Sequence, residues 1–428
     1  MTGALVIFVL LIALILINVP IAVAICAVAL IGMVWHHGPI GLYNAALTAF
    51  DGATSFPLIA IPLFILAGAL MNTSGISRRL IDFTSALIGF IRGGLAMVNV
   101  GVSMFFAEIS GSAVADVAAI GSVLIPAMKE RRYKATMAAA VTSSSASLAI
   151  IIPPSIPMIL YGALSDTSVV QLFVAGILPG LLGGFGMLCL CYWFAVKYDL
   201  PREEAFSLPR LWTAFKASGP ALLLPVIILG GIFGGIVTAT EGAGLAVVAA
   251  LAIGWFVYRE LDLKHFYAAL VDGVIQTSVV MLLVATSAVL GLYLTEVELP
   301  QRLAAWITEQ TTNRYAVLMM LNVLLLVLGM ILHGAAAIIL VVPIVLPLVK
   351  LVGIDTVHFG IILTLNLAIG QQTPPVASVL VTACSIAKTD IWDATKANLP
   401  FIGVLFGLLM VVTYLPFIPM TLVDVFYR

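Results

Sequence analysis

Long apolar runs, separated by short polar joints, fill this chain from end to end. Read by length, they predict membrane-crossing helices near 4–17, 21–35, 57–72, 135–162, 170–196, 219–237, 242–257, 275–296, 357–387 and 398–425. About 20 apolar residues are needed for each crossing. Two further runs, about 88–128 and 313–349, are too long for one crossing. Each has a small or polar centre, Ser110-Gly111-Ser112 in the first and His333-Gly334 in the second. Both read as re-entrant helical hairpins that enter and leave on one side. Two of the spans carry a double proline, Pro153-Pro154 with Pro157 close by, and Pro374-Pro375. Proline removes a backbone donor and clashes with the preceding turn, so 135–162 and 357–387 read as broken helices. The predicted fold is an all-α polytopic membrane protein of about ten spans, two hairpins and two broken helices.

The pattern occurs twice. Sliding Pro153-Pro154 onto Pro374-Pro375 also puts Pro126 on Pro347, Lys129 on Lys350 and Pro179 on Pro400. With a small change of offset, Asn99 meets Asn322, Gly111 meets Gly334 and Arg79-Leu80 meets Arg302-Leu303. Such self-similarity marks an internal repeat. The expected units are a first repeat over 1–196, a connector over 197–217 and a second repeat over 218–428.

Charge sets the orientation. Of 428 residues, 62% are hydrophobic and 9% charged, far below the share in a soluble protein. The net charge of −1 gives no sign of nucleic-acid binding. With the run 129–134 placed in the cytoplasm, every lysine and arginine except Arg302, Arg314, Lys350 and Arg428 falls on that side. The termini then lie on the periplasmic side, and the repeats point opposite ways. Inverted repeats with discontinuous helices are a mark of secondary transporters, whose sites form near the midplane. No cleavable signal peptide is expected, because Met1-Thr2-Gly3 leads directly into an apolar run. Cys26, Cys189, Cys191 and Cys384 all fall in apolar runs and read as buried thiols. The stretches Gly41–Phe50, Lys264–Asp272, Ile76–Gly89 and Leu299–Glu309 are partly amphipathic and read as interfacial helices. Trp212, Trp306 and Trp392 suit anchoring at the membrane surface.

Broken backbone at membrane depth is tolerated only where it is buried in protein or lines a polar cavity. The two breaks are therefore where ions or substrate should be held. Before the first break stands TSSSAS (142–147), which places Ser145 over Asn366 in the other repeat. Gly370, Gln371, Gln372 and Thr373 lead into the second break. Hydroxyls, amides and freed carbonyls are hard oxygen ligands that suit Na⁺, and half-helix N-termini suit a substrate carboxylate. Ser110, Ser112 and Ser145 sit at the expected break points. Glu108 and Asp116 are acids within the first hairpin, and a buried acid is costly enough to suggest a role. Asp116, one turn past the tip, either coordinates an ion or holds the tip. His333, at the second tip, either meets an acidic substrate or donates to a carbonyl.

These motifs resemble a known family. The run Gly111-Ser112-x-x-Ala115-Asp116-x-x-Ala119-Ile120-Gly121 is similar to the signature of the large membrane subunit of tripartite ATP-independent periplasmic (TRAP) transporters, the DctM-like family. Ile152-Pro153-Pro154-Ser155 and Gly370-Gln371-x-Thr373-Pro374-Pro375 fit the same pattern. The chain departs from it at Ala377, where glycine is common, and at Gln372, where an apolar residue is common. The resemblance covers essentially the whole chain. It implies an importer of small organic acids, such as dicarboxylates, keto acids, sugar acids or sialic acids, driven by a Na⁺ gradient in a bacterial or archaeal cytoplasmic membrane. The implied mechanism is elevator-like. The implied partners are a small four-helix membrane subunit and a periplasmic substrate-binding protein, with Na⁺ as coupling ion and no other cofactor. Carried over by position, Na⁺ site one comprises Ser110, Gly111, Ser112, Asp116, Ser145, Pro153 and Pro154. Site two comprises Gly334, Asn366, Gly370, Thr373 and Pro374. Ser155, His333 and Gln371 are the substrate candidates.

Rival readings are a stand-alone Na⁺-coupled carboxylate carrier or ion antiporter, a membrane-embedded enzyme and a passive channel. The chain has no HExxH motif, no His/Asp pair placed on one span at metal spacing and few acids, all of which weigh against an enzyme. The paired breaks resemble closed sites more than a pore ring.

Overall fold

The computed structural model describes residues 2–17, 19–202 and 205–427, with side chains for all but 2–5, 8, 12, 16 and 108–110. Among the described residues the chain is helical throughout and forms no strand. The first half runs α1 (Thr2–Leu16), α2 (Ile21–His37), α3 (Ile40–Ala53), α4 (Ala60–Thr73), α5 (Ile76–Ile88), α6 (Gly94–Ser110), α7 (Ala113–Glu130), α8 (Ala135–Ala146), α9 (Ile156–Ser165) and α10 (Val169–Lys197). The second half runs α11 (Leu208–Phe233), α12 (Ala239–Ala252), α13 (Leu263–Glu296), α14 (Leu299–Gln310), α15 (Arg314–Ile331), α16 (Gly334–Leu351), α17 (Thr356–Gly370), α18 (Ser378–Ala387), α19 (Ile391–Tyr414) and α20 (Phe417–Tyr427).

Local chemistry sets many of these boundaries. Gly38, Gly75 and Gly93 take positive φ where the chain leaves or enters a helix, Gly75 and Gly93 in the left-handed conformation. Asp262, Asn313, Asp355 and Asp390 cap α13, α15, α17 and α19 with side-chain acceptors. Thr238 and Glu241 form a reciprocal capping box at the start of α12. Pro179 in α10 and Pro220 and Pro225 in α11 stand inside continuous helices, as neighbouring elements allow in a membrane protein.

Eight stretches, among the described residues, are long and apolar enough to cross a membrane. The halves of the broken helices are shorter and meet at their breaks. Expected hairpins and broken helices all appear as helix–break–helix units. Three details differ from the sequence reading. Lys264–Asp272 is not a separate interfacial segment, because α13 runs unbroken from Leu263 to Glu296. No proline interrupts it, whereas Pro57 separates α3 from α4. The expected span over 398–425 is divided into α19 and α20 at Leu415-Pro416, where the residue before proline leaves the helical region. Finally, Cys189 is exposed and Cys26 only half-buried, rather than buried.

Packing divides the helices into two groups. α13 lies against α2, α3 and α4, and α12 against α4. In the other group, α7, α8, α18 and α19 pack together, α16 packs on α9, and α15 on α17. The second arm of each hairpin therefore rests on the second half of the opposite broken helix. Fully buried Tyr161, Phe173, Phe359 and Phe401 fill this inner group. Large apolar side chains such as Val226 and Phe256 face outward at 65% and 75% exposure, as lipid contact permits.

Candidate functional site

Each hairpin tip rests on the break of its own half. Gly111 turns the first tip with φ +60°, a conformation that favours glycine. A Cβ there would lie 2.9 Å from the Pro154 carbonyl oxygen, so a side chain would push the tip off the break. At the second tip, a Cβ on Gly334 would lie 2.7 Å from Gln371 Nε2. The Val376 N–H donates to the Met330 carbonyl at 3.2 Å, which ties the second break to α15. Gly370 and Gly329 bring α17 and α15 together backbone to backbone, since a Cβ on Gly370 would meet Gly329 C at 2.5 Å. Both Pro-Pro bonds are cis.

Buried amides link the first hairpin arms to the broken helices. Asn99 on α6 donates to Thr142 Oγ1 at 2.6 Å and accepts from Ser145 Oγ at 3.3 Å. Ser103 Oγ donates to Ser145 Oγ at 2.9 Å. In the other half, Asn366 donates to Asn322 Oδ1 and to the Ile362 carbonyl, both at 2.8 Å. Asn322 in turn donates to Thr413 Oγ1 at 3.0 Å. The repeat-matched pairs Asn99–Ser145 and Asn322–Asn366 thus meet in both halves. One difference stands out. Asn366 Oδ1 is buried with no hydrogen-bond partner, and a buried acceptor left so is costly.

A third network crosses between halves. Ser144, next to Ser145 on α8, donates toward Asn398 Oδ1 and lies 2.8 Å from Gln372 Oε1. Asn398 Nδ2 donates to Gln372 Oε1 at 3.0 Å, and Gln372 Nε2 to the Ala368 carbonyl at 3.3 Å. All three side chains are fully buried.

Between the tips lies a cavity of about 420 Å³, lined among others by Gly111, Ser112, Pro157, Gln276, His333 and Gln371. The N-terminal residues of α7, α9 and α16 also line it. Three helix N-termini therefore bring partial positive charge to one space. A second cavity, about 280 Å³, shares Ile65, Ser112, Ala115 and Gln276 with the first and continues along α4 and α13.

The sequence-predicted residues distribute as follows. Gly111, Ser112, His333, Gly334 and Gln371 line the cavity. Ser145, Pro153 and Pro154 are fully buried behind it, as are Asn366 and Gly370. Thr373 donates to the Ile369 carbonyl at 2.9 Å, and Pro374 is half-buried beside it. Asp116 is fully buried in the first turn of α7, where the helix dipole favours a carboxylate, and does not line the cavity. The side chains of Ser110 and Glu108 lie outside the described residues. Ser155 does not reach the cavity lining: its hydroxyl donates to the Ile150 carbonyl at 2.7 Å and caps α9. Its hydroxyl thus bridges the residues before and after the break. Sequence reading passed over Ser103, Gln276 and Asn398, and used Asn99 and Asn322 only as repeat markers. An amide or hydroxyl within an apolar run was the available signal.

A family profile described as "Tripartite ATP-independent periplasmic transporter, DctM component" matches residues 8–418. The chain is 41% identical to the isethionate TRAP transporter permease protein DctMQ of Oleidesulfovibrio alaskensis, over 94% of this chain and 64% of that relative. It thus spans about two thirds of that protein's length. It is 37% identical to the 2,3-diketo-L-gulonate TRAP transporter large permease protein YiaN of Escherichia coli, over 87% of each chain. It is also 37% identical to the C4-dicarboxylate TRAP transporter large permease protein DctM of Pseudomonas aeruginosa, over 90% of each. Among solved structures, the YdaH transporter of Alcanivorax borkumensis, described as having an unusual topology, shares the fold. Its TM-score is 0.62 at 15% identity, over 88% of this chain and 89% of that one.

Proposed function

This chain belongs to the DctM component family of tripartite ATP-independent periplasmic (TRAP) transporters, and from that premise we propose that it is the large subunit of a Na⁺-coupled importer of a small organic acid. The observation that carries the reading is the cavity lined by both hairpin tips and by residues that flank both breaks, Ile150, Ile156 and Pro157 at the first and Gln371 at the second. A carboxylate fits there beside the N-termini of α7, α9 and α16, with the His333 ring and the Gln371 amide as hydrogen-bonding partners. Na⁺ suits the oxygens behind the cavity. Around the first break these are the Ser145 hydroxyl and the carbonyls at Pro153-Pro154. Around the second, Asn366 Oδ1 is a buried acceptor that a cation would satisfy.

The inner helices carry the hairpins and breaks, while α2, α3, α4, α12 and α13 form the wall they face. Movement of the inner group against that wall would carry the cavity from one side of the membrane to the other. The partners would be a small four-helix membrane subunit and a periplasmic binding protein that delivers the acid.

The test is uptake of labelled organic acids into proteoliposomes containing this chain and its small subunit, with and without an inward Na⁺ gradient and the binding protein. Uptake that requires both supports the reading. Uptake that needs Na⁺ but no binding protein makes the chain a stand-alone carrier. Downhill flux indifferent to Na⁺ makes it a channel.

A further inference from the structure

The charge lining the two joined cavities is unusual for an organic-acid site. Among the described residues, no lysine or arginine lines either one. The tip cavity offers its positive end through helix N-termini, each equivalent to roughly half a charge. That suits one carboxylate. The adjoining cavity is different. Asn72, Thr73, Ser112, Asp272 and Gln276 line it. Asp272 and Gln276 stand one turn apart on α13, on the same face. Asp272 is a carboxylate, and it accepts hydrogen bonds. Gln276 both donates and accepts. Asn72 Oδ1 takes the Ser77 hydroxyl at 3.2 Å, so its NH₂ group is the donor it has left to offer. Thr73 donates to the Leu70 carbonyl at 3.0 Å, so its oxygen is an acceptor.

This set of alternating donors and acceptors suits hydroxyl groups, which do both. Asp272 is exposed on the wall of this cavity, and its charge repels a second carboxylate brought against it. We propose that this permease selects a monocarboxylate bearing several hydroxyl groups, of the sugar-acid class, over a dicarboxylate. The carboxylate sits at the helix N-termini near His333 and Gln371. The hydroxyls reach past Gln276 toward Asp272 and Asn72. Asp272 is then a specificity residue that touches the substrate's hydroxyl end. The proposal rests on the reading that the cavity between the tips is the substrate site.

The experiment uses the purified complex of this chain with its small subunit, in Na⁺ buffer. Thermal stabilisation is titrated with gluconate and with succinate. Gluconate should reach half-maximal stabilisation at a concentration about tenfold below succinate. Asp272→Asn should tighten succinate about fivefold or more by removing the repelling charge. Gln276→Leu should weaken gluconate and leave succinate within about twofold. Both variants alter side chains at an open cavity wall, and size-exclusion profiles will verify their folding. Succinate binding as tightly as gluconate overturns the proposal while leaving the importer reading intact. So does an unchanged preference in Asp272→Asn. Stabilisation by neither acid also overturns the proposal, and the importer reading is then decided by the uptake test alone.

Discussion

The two breaks occupy matched places, yet they are built differently. Residues 151–155 of the first are buried throughout. Ser155 closes that break with its own hydroxyl, and Ser145 is bonded to both Asn99 and Ser103. In the second, Pro375 and Val376 are exposed, Ala377 adopts φ +44° and Asn366 Oδ1 has no partner. The first break satisfies its polar groups internally. The second holds an acceptor in reserve. The two halves thus share a plan and differ in how much of their hydrogen-bonding capacity is already used. On the proposed function, the second break is the one poised to take an ion, and the first must exchange existing hydrogen bonds to do so.

The largest expected effect follows from that contrast. Asn366→Leu should lower Na⁺-driven uptake more than tenfold, because it removes the unpaired oxygen and leaves Asn322 Oδ1 without its donor. Ser145→Ala should cost only about two- to fivefold, since Asn99 and Ser103 keep other oxygens nearby. Initial uptake rates across a Na⁺ titration would measure both. Equal losses, with equal shifts in the Na⁺ concentration giving half-maximal rate, would break the comparison.

Next comes the bridge between halves. Ser144, Gln372 and Asn398 share one buried chain of hydrogen bonds. Asn398→Leu should destabilise the protein by about 1–3 kcal/mol, because Gln372 Oε1 loses its amide donor in a buried place. Gln372→Leu combined with Asn398→Leu should recover part of that loss. Thermal melts of the single and double variants would show the coupling. Strict additivity would mean that the two halves are not linked here.

The main features of the helical plan were legible because membrane helices leave few options. Two Pro-Pro pairs and two small-residue centres in long apolar runs marked both breaks and both tips, and Gly111 and Gly334 stand where those marks put them. The continuity of α13 was not legible. Its first turns are polar enough to read as interfacial, but polarity alone does not end a helix that lacks a breaker. Nor could the sequence show which face of α13 meets the cavity, so Asp272 and Gln276 went unread. Asn398 was equally hidden, since its partners are Ser144 on α8, in the other half, and Gln372 at the second break. Repeat matching paired Asn99 with Asn322 and Ser145 with Asn366. It gave no sign that these pairs touch, because contact is a tertiary fact.

A smaller difference lies in the arms. Arg79 on α5 pairs with Glu260 at 2.7 Å and stacks 3.8 Å above the Tyr258 ring. Its repeat partner, Arg302 on α14, meets only Glu298 among the described ion pairs, at 3.4 Å and largely exposed. Arg79→Ala should therefore cost about 1–2 kcal/mol, and Arg302→Ala less than about 0.5 kcal/mol. Melting temperatures at low and high salt would separate them. Equal shifts would mean that both arms are held alike.

The smallest effect tests the second break alone. Ala377 takes the left-handed conformation, which costs an L-residue roughly 1–2 kcal/mol. Glycine removes that strain but makes the unfolded chain freer, at about 0.4–1 kcal/mol. Ala377→Gly should thus stabilise by at most about 1.5 kcal/mol, a small rise in melting temperature. The matched residue in the first break is Ile156, 8% exposed and in the ordinary helical region. Ile156→Gly should instead destabilise by several kcal/mol, about 2–3 of them from lost burial alone. Opposite signs at matched positions would mean that one break is strained and open while the other is packed and closed. A loss of stability in both would show that the Ala377 turn is held by packing of its methyl group, and the comparison would then rest on Asn366 alone.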